Sequence, residues 1–255
     1  MKKYKDITAF FVVTLLFVTP ALNAQTTWYV DDDAPGDPGP GDPDVSDPLE
    51  DGSASHLYDA IQEGIDASSN GDTVLVADGT YTGTGNRDLD FGGKSITVRS
   101  ENGPDNCIID CEGTYGYRYR GFYFHSGEGP YSVVQGLTIQ NGFEDVGGGI
   151  YCENAAPTIS HNIVTHNEAT VYGGGICCEG GSPMIIDNTI TDNYVWGGFM
   201  NGGGGIYCQS SSASPLKKAE ALKSLVRFYK KTGRQAQADV LMEQILEIKE
   251  NEEKK

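Results

Sequence analysis

Over most of its length this chain has very few cationic side chains. Lys and Arg number 18 against 36 Asp and Glu over 255 residues, and His adds four. From Gln25 to Ser214 only five residues are basic and 28 are acidic, a net of −23. Nucleic acid is held mainly by cations that neutralise phosphates, so this composition excludes a nucleic-acid partner. It also repels acidic polysaccharide unless a cation such as calcium bridges the two. No phosphate-cradling loop and no Ser-His-Asp signature is present, and the Cys spacing gives no zinc pattern. After Val18 no apolar run is long enough to span a bilayer. Helical periodicity is missing from the central region, which leaves short β-branched runs among many Gly, Asn and Thr.

What is present repeats itself. Gly147-Gly-Gly-Ile-Tyr-Cys152 returns as Gly173-Gly-Gly-Ile-Cys-Cys178 and as Gly203-Gly-Gly-Ile-Tyr-Cys208. Pro157-Thr-Ile-Ser-His-Asn162 is answered by Pro183-Met-Ile-Ile-Asp-Asn188, and Asn141, Asn167 and Asn193 stand 26 residues apart. The third interval gains four residues, with Gly197 to Met200 as the insert. A fixed period of this size marks a repeat architecture. The unit has room for three short strands and three turns, which is one coil of a parallel β-helix adding roughly 4.8 Å of length. Stacking then predicts an inward ladder of Ile150, Ile176 and Ile206 and a second one of Cys152, Cys178 and Cys208. Asn167 and Asn193 are expected at successive turns, in left-handed geometry and hydrogen-bonded along the stack. The Gly triplets read as backbone bends that no side chain would allow.

The start of the chain reads as a secretory signal peptide over residues 1–24. Lys2, Lys3 and Lys5 precede an uncharged apolar run from Ile7 to Val18, and Pro20-Ala-Leu-Asn-Ala24 ends before Gln25. Export implies a secreted or cell-surface protein. It also permits disulfides between the six Cys, although aligned parallel strands suit free, buried thiols better. From Trp28 to Gly52 the chain is crowded with Asp, Gly and Pro, beginning with Asp31, Asp32 and Asp33. An acidic linker and a calcium-binding loop both fit, since clustered carboxylates suit a hard cation, but the spacing matches no EF-hand. Leu57, Ile61 and Ile65 lie four apart and predict a short helix up to Ala67. Gly71-Asp-Thr-Val-Leu-Val-Ala-Asp-Gly-Thr-Tyr81 follows as a strand closed by a turn.

This order (a Tyr-Val strand, an Asp/Gly loop, an Ile-Gln helix, then Gly-Asp-Thr-Val-Leu-Val and Asp-Gly-Thr-Tyr) resembles the opening of the pectate-lyase-like superfamily. Gly93-Lys-Ser-Ile-Thr-Val-Arg99 and Cys107-Ile-Ile-Asp110 resemble its next coils, so that the resemblance covers about residues 28–210. It implies a secreted, mainly β protein: a right-handed parallel β-helix of about five coils, spanning residues 25–209, whose helix caps the first coil. It also makes polysaccharide or a cell-surface glycan the expected partner. The fold hosts lyases, hydrolases, esterases, epimerases and non-catalytic surface proteins, so chemistry must be argued from residues.

Tyr115-Gly-Tyr-Arg-Tyr-Arg-Gly-Phe-Tyr-Phe-His125 is the most unusual local composition. Tyr115, Tyr117 and Tyr119 are candidates for stacking on sugar rings, and Arg118 and Arg120 for meeting a uronate carboxylate. His125 is the candidate base of a calcium-assisted lyase. Phe122 and Phe124 read as the buried side of a strand. A hydrolase would need two carboxylates at a set separation. Glu153 and Glu179, like His161 and His166 with Asp187 and Asp192, are pairs that stacking produces automatically, and solvated faces account for them.

Beyond Gln209 the composition changes. Residues 210–215 read as a linker. Residues 216–255 carry Leu222, Leu225, Val226 and Tyr229, then Ala238, Leu241, Met242, Ile245 and Leu246 at helical spacing. This helical hairpin resembles a single tetratricopeptide repeat. One repeat cannot bury its own apolar face, so it is expected to dock on the β-helix end or on a protein partner. Altogether the sequence favours a non-catalytic polysaccharide-binding or adhesive scaffold, with a lyase acting on an acidic glycan as the alternative.

Overall fold

The computed structural model describes residues 25–32, 49–196 and 203–209, and the single positions Met242 and Leu246. The expected signal peptide, Asp33, the expected insert at 197–200, the expected linker and, but for those two positions, the expected C-terminal hairpin lie outside the described residues. Among the described residues no helix is long and apolar enough to cross a membrane.

The chain opens with β1 (Thr27–Val30), helix α1 (Ile61–Ala67), β2 (Thr73–Val76), β3 (Gly79–Tyr81), β4 (Thr97–Ser100), β5 (Cys107–Asp110) and β6 (Phe122–Phe124). Three regular coils follow. The first holds β7 (Val133–Gln135), β8 (Thr138–Gln140), β9 (Phe143–Val146) and β10 (Ile150–Glu153). The second holds β11 (Thr158–Ser160), β12 (Ile163–Thr165), β13 (Glu168–Tyr172) and β14 (Ile176–Glu179). The third holds β15 (Met184–Ile186), β16 (Thr189–Thr191), β17 (Tyr194–Val195) and β18 (Ile206–Gln209).

Each strand pairs in parallel with its counterpart one coil away, giving four sheets of six, five, three and four strands. The result is a mainly β solenoid of about five turns. A coil thus carries four strands where the repeat length suggests three. Only two residues separate β7 from β8, and a left-handed residue between them turns what reads as one strand into two.

The predicted ladders are present. Ile150, Ile176 and Ile206 are register partners, as are Cys152, Cys178 and Cys208. Val98, Val134 and Ile159 fill the first face and Ile109, Ile139 and Val164 the second, all fully buried. Phe122 and Phe124 stack on Ile150 and Cys152 and are themselves fully buried. All six cysteines are free thiols. Helix α1 is shorter than its periodicity suggests: it starts at Ile61, leaves Leu57 outside, and puts Ile61 and Ile65 into the core. The N–H of Ile61 donates to Asn86 Oδ1 at 2.9 Å.

The corners depart from the expected pattern in an instructive way. Left-handed backbone falls on His161 and Asp187 at one corner and on Asn141, His166 and Asp192 at the next, with φ between 53° and 57°. The residue that follows is an inward Asn, except after Asn141, where it is Gly142. Asn162 accepts from Leu137 N–H at 3.0 Å and donates to Val134 O at 3.1 Å, while Asn188 Oδ1 accepts from Asn162 N–H at 2.8 Å. Asn167 and Asn193 repeat this at the second corner, where Asn167 Oδ1 accepts from Gly142 N–H at 2.8 Å. Asn141 is therefore the counterpart of His166, and Gly142 that of Asn167. The Asn ladders satisfy backbone groups inside the turns, where no water reaches them.

The Gly triplets serve close approach as well as bending. Gly147 and Gly173 have φ of 62° and 58°. A Cβ on Gly149 would sit 2.6 Å from Gly175 O and 2.9 Å from Asn167 Nδ2, inside the next coil.

Candidate functional site

The third face, made by β9, β13 and β17, carries an outward row of register partners: Phe143, Glu168 and Tyr194. Opposite it, the segment from Glu112 to Gly121 leaves the coil and folds back as a tight turn. Thr114 and Tyr117 exchange backbone hydrogen bonds there, and so do Tyr119 and Phe143. This turn places Tyr115, 81% exposed, edge-on to Phe143 with ring centroids 6.1 Å apart. At the far end Trp196, 62% exposed, donates its indole N–H to Glu168 Oε2 at 2.7 Å. Tyr115, Asn141, Phe143, His166, Glu168 and Trp196 together line a cavity of about 320 Å³. That is the size of a small-ligand site. Two exposed aromatic rings beside a carboxylate, an amide and an imidazole give it apolar faces for stacking and polar atoms for hydrogen bonds.

Of the residues expected from the sequence, only Tyr115 lines this cavity. Tyr117 is exposed beside it, and Tyr119 is covered by the Arg87 guanidinium, 3.6 Å above its ring. Arg118 is engaged by Asp145 and lies 5.9 Å from the Phe143 ring centroid. Its hydrogen bond to Asp145 raises the Arg118 pKa, and the same bond, with one from Thr170, holds the Asp145 carboxyl below the ordinary range.

Arg120 is buried. It sits 4.8 and 5.1 Å from the ring centroids of Tyr123 and Tyr151, with Glu144 at 3.6 Å, and its Nη1 has no hydrogen-bond partner. His125 stacks on Tyr123 at 4.2 Å and contacts Asp90 at 3.1 Å. Arg120 and His125 therefore meet on one tyrosine ring of the fourth face, while Arg118 and Tyr115 meet on Phe143 of the third. Tyr123 and Tyr151 stack 5.2 Å apart and donate their hydroxyls to Glu153 and Glu179, at 2.5 and 2.8 Å, in the following coil. Burial, helped by the Glu153 carboxylate, pushes the Tyr123 phenol up to about 12. Glu153 and Glu179 are thus the acceptors of a tyrosine ladder.

Glu168 and Trp196 are missed when the sequence is searched for unusual composition, and His166 reads there as part of a solvated face. The signal is the residue after each inner corner: Phe143, Glu168 and Tyr194 share one register position and differ in chemistry.

The acidic loop divides on inspection. Asp32 is buried, and its Oδ2 accepts from Thr80 N–H at 3.0 Å, which fixes the turn before β3. The Asp31 N–H reaches Tyr58 O at 2.9 Å. Next to Tyr58, the carboxylates of Glu50, Asp59 and Glu63 offer ligand atoms within 4.8 Å of one another. Burial, then a hydrogen bond with Asp59, raises Glu63 from 4.5 to about 7. A second cleft, about 410 Å³, lies along the first face beside Asp72 and Tyr131. It has one aromatic ring, and its Asp72 already accepts from Thr26 N–H, Ser69 N–H and the Trp28 indole.

No curated protein and no solved structure matches the chain. A family model described as right handed beta helix region matches residues 53–218, about two thirds of the chain and nearly all of the coils described above, and the protein belongs to that family.

Proposed function

We propose that this protein is an exported, non-catalytic glycan-binding or adhesive scaffold that presents the third-face groove to polysaccharide. The observation that carries this reading is the pair of exposed rings, Tyr115 and Trp196, at the two ends of a cavity floored by Phe143. Sugar rings stack on such faces, while Glu168, Asn141 and His166 supply hydrogen-bond partners. The lyase alternative is less well supported. Arg118 and Arg120 each face a carboxylate, and His125 pairs with Asp90 away from the groove.

In this reading the signal peptide directs export and α1 covers the first coil. The hairpin of residues 216–255 closes the last coil, whose strands would otherwise present an unpaired edge, or engages a protein partner. Where calcium takes part, Glu50, Asp59 and Glu63 are, among the described residues, carboxylates gathered closely enough to hold it.

The test is a glycan array probed with labelled mature protein, run beside ultraviolet absorbance assays on pectate, alginate and glycosaminoglycans with calcium and with chelator. Saturable binding without release of unsaturated uronate, weakened at least tenfold by Trp196→Ala, supports the scaffold. A calcium-dependent rise in absorbance overturns it in favour of the lyase.

A further inference from the structure

We propose that the groove is built for a cationic amino sugar: a glucosamine-type polymer whose protonated amino group meets Glu168 while its ring faces meet Tyr115 and Trp196. This rests on the glycan-binding reading of the same groove and names the class of glycan.

The argument is one of charge matching. Among the described residues, Arg118 approaches Phe143 of the groove and Arg120 approaches β9 from the fourth face, and each is already matched. Arg118 is paired with Asp145, and Arg120 faces Glu144. Both of those carboxylates belong to β9, the strand that carries Phe143. Glu168 is different. Its hydrogen-bond donor is the neutral indole of Trp196, and among the described residues no Lys, Arg or His forms an ion pair with it. The Nδ1 of His166 is engaged by Thr165 Oγ1 at 2.9 Å. The cavity is therefore left with one carboxylate in excess, between two exposed aromatic rings.

Each ligand class meets that arrangement differently. A uronate would bring its carboxylate toward Glu168 in a domain whose net charge from Gln25 to Ser214 is −23, and like charges would oppose it. A neutral sugar would gain stacking and hydrogen bonds from its hydroxyls, without the attraction between opposite charges. An ammonium group gains a charge-assisted hydrogen bond to Glu168 and attraction to the faces of Trp196 and Tyr115. N-acetylation removes both gains, because the nitrogen then carries no charge.

The test is isothermal titration of the full-length mature protein with four hexasaccharides: glucosamine, its N-acetylated form, the glucose hexamer of the same linkage, and galacturonate. They are compared at a pH that keeps the amino groups protonated, with wild type and with His166→Gln, so that imidazole charge does not enter the comparison. The glucosamine hexamer should bind at least tenfold more tightly than the N-acetylated and glucose hexamers, and galacturonate should not bind. Glu168→Gln should abolish the preference for the glucosamine hexamer over the glucose hexamer, whereas Trp196→Ala should weaken all sugars. Raising the salt should erode the glucosamine preference alone. That arm decides the matter without a variant if Glu168→Gln fails to fold. Equal affinity for the glucosamine and glucose hexamers, a preference untouched by Glu168→Gln or by salt, or tighter galacturonate binding overturns the amino-sugar assignment and leaves glycan binding standing. Binding of none of the four, by protein that is folded by circular dichroism, overturns both.

Discussion

The inner asparagines carry the strongest stability prediction, and Asn162→Ala is its cleanest form. The side chain is 1% exposed and is used in both directions. Its Oδ1 accepts from Leu137 N–H, and its Nδ2 donates to Val134 O and to Asn188 Oδ1. Alanine leaves the buried Leu137 N–H without a partner, at about 1–3 kcal/mol, and takes from Val134 O the side-chain donor it has beside its strand pairing. The expected loss is therefore about 1–3 kcal/mol, a sizeable share of the roughly 5–15 kcal/mol that holds a domain together. Asn162→Asp should be nearly as costly, because it keeps the acceptor for Leu137 but turns an oxygen toward Val134 O and Asn188 Oδ1. The neighbouring His161 provides the control. It is exposed, holds φ at 57°, and lies 3.8 Å from Asp187 in an ion pair worth little at the surface. His161→Gly relieves a left-handed strain of about 1–2 kcal/mol against a glycine entropy cost of about 0.5–1 kcal/mol, so it should be neutral or slightly stabilising. Urea unfolding reads both, as a shift of midpoint at constant slope. If Asn162→Ala costs under about 1 kcal/mol, the ladder does not satisfy the corner and the account of these turns fails.

Three further predictions test other parts of the coil. Gly149→Ala should cost more than about 2 kcal/mol or prevent folding, measured by the same unfolding curves, because its Cβ would lie 2.6 Å from Gly175 O. Glu63, raised from 4.5 to about 7 by burial and by Asp59, binds a proton in the folded state that the unfolded chain gives up. Stability should therefore fall as pH rises from about 4.5 through 7, by about 1 kcal/mol once the full linkage value is discounted for solvent exposure. Glu63→Gln should flatten that slope, and a midpoint that rises over the same window would contradict the assignment. Burial pushes the thiols of Cys107, Cys111 and Cys177 up, and contact with Cys152 pushes Cys178 up. An aromatic disulfide reagent at neutral pH should accordingly leave these four thiols unmodified until urea unfolds the coils.

The β-helix was legible because stacking turns equivalent positions into one physical environment. Ile150, Ile176 and Ile206 recur in sequence because they fill the same place in successive coils. What spacing alone does not resolve is which residue of a pair turns the corner. Asn141, Asn167 and Asn193 share a spacing, yet Asn141 sits in the left-handed position and the other two inside the turn. The coil from β8 to β12 is one residue shorter than the coil from β12 to β16, and that single residue exchanges the two roles. The tyrosines of the 115–119 segment also divide by geometry that composition cannot express. Tyr119 lies under Arg87, and Tyr115 stands free at the groove.

The candidate site arises where the repeat is broken. A row of identical residues along a β-helix yields a uniform stripe, suited to packing or to a solvated face, and it confers no directional recognition. The third face differs because its outward row runs Phe143, Glu168, Tyr194 and because the 112–121 excursion drops Tyr115 over its first member. Phe143 must be covered, and Tyr115 and Arg118 cover it. Arg118 in turn requires Asp145, which disposes of the nearest positive charge. The same contacts that bury one exposed ring thus leave Glu168 as the unmatched charge between the two rings that remain exposed. Cover for Phe143 and selectivity of the groove are consequences of one arrangement. Removing Asp145 should therefore free Arg118 and shift the groove's preference away from cationic ligands, with no residue of its lining changed.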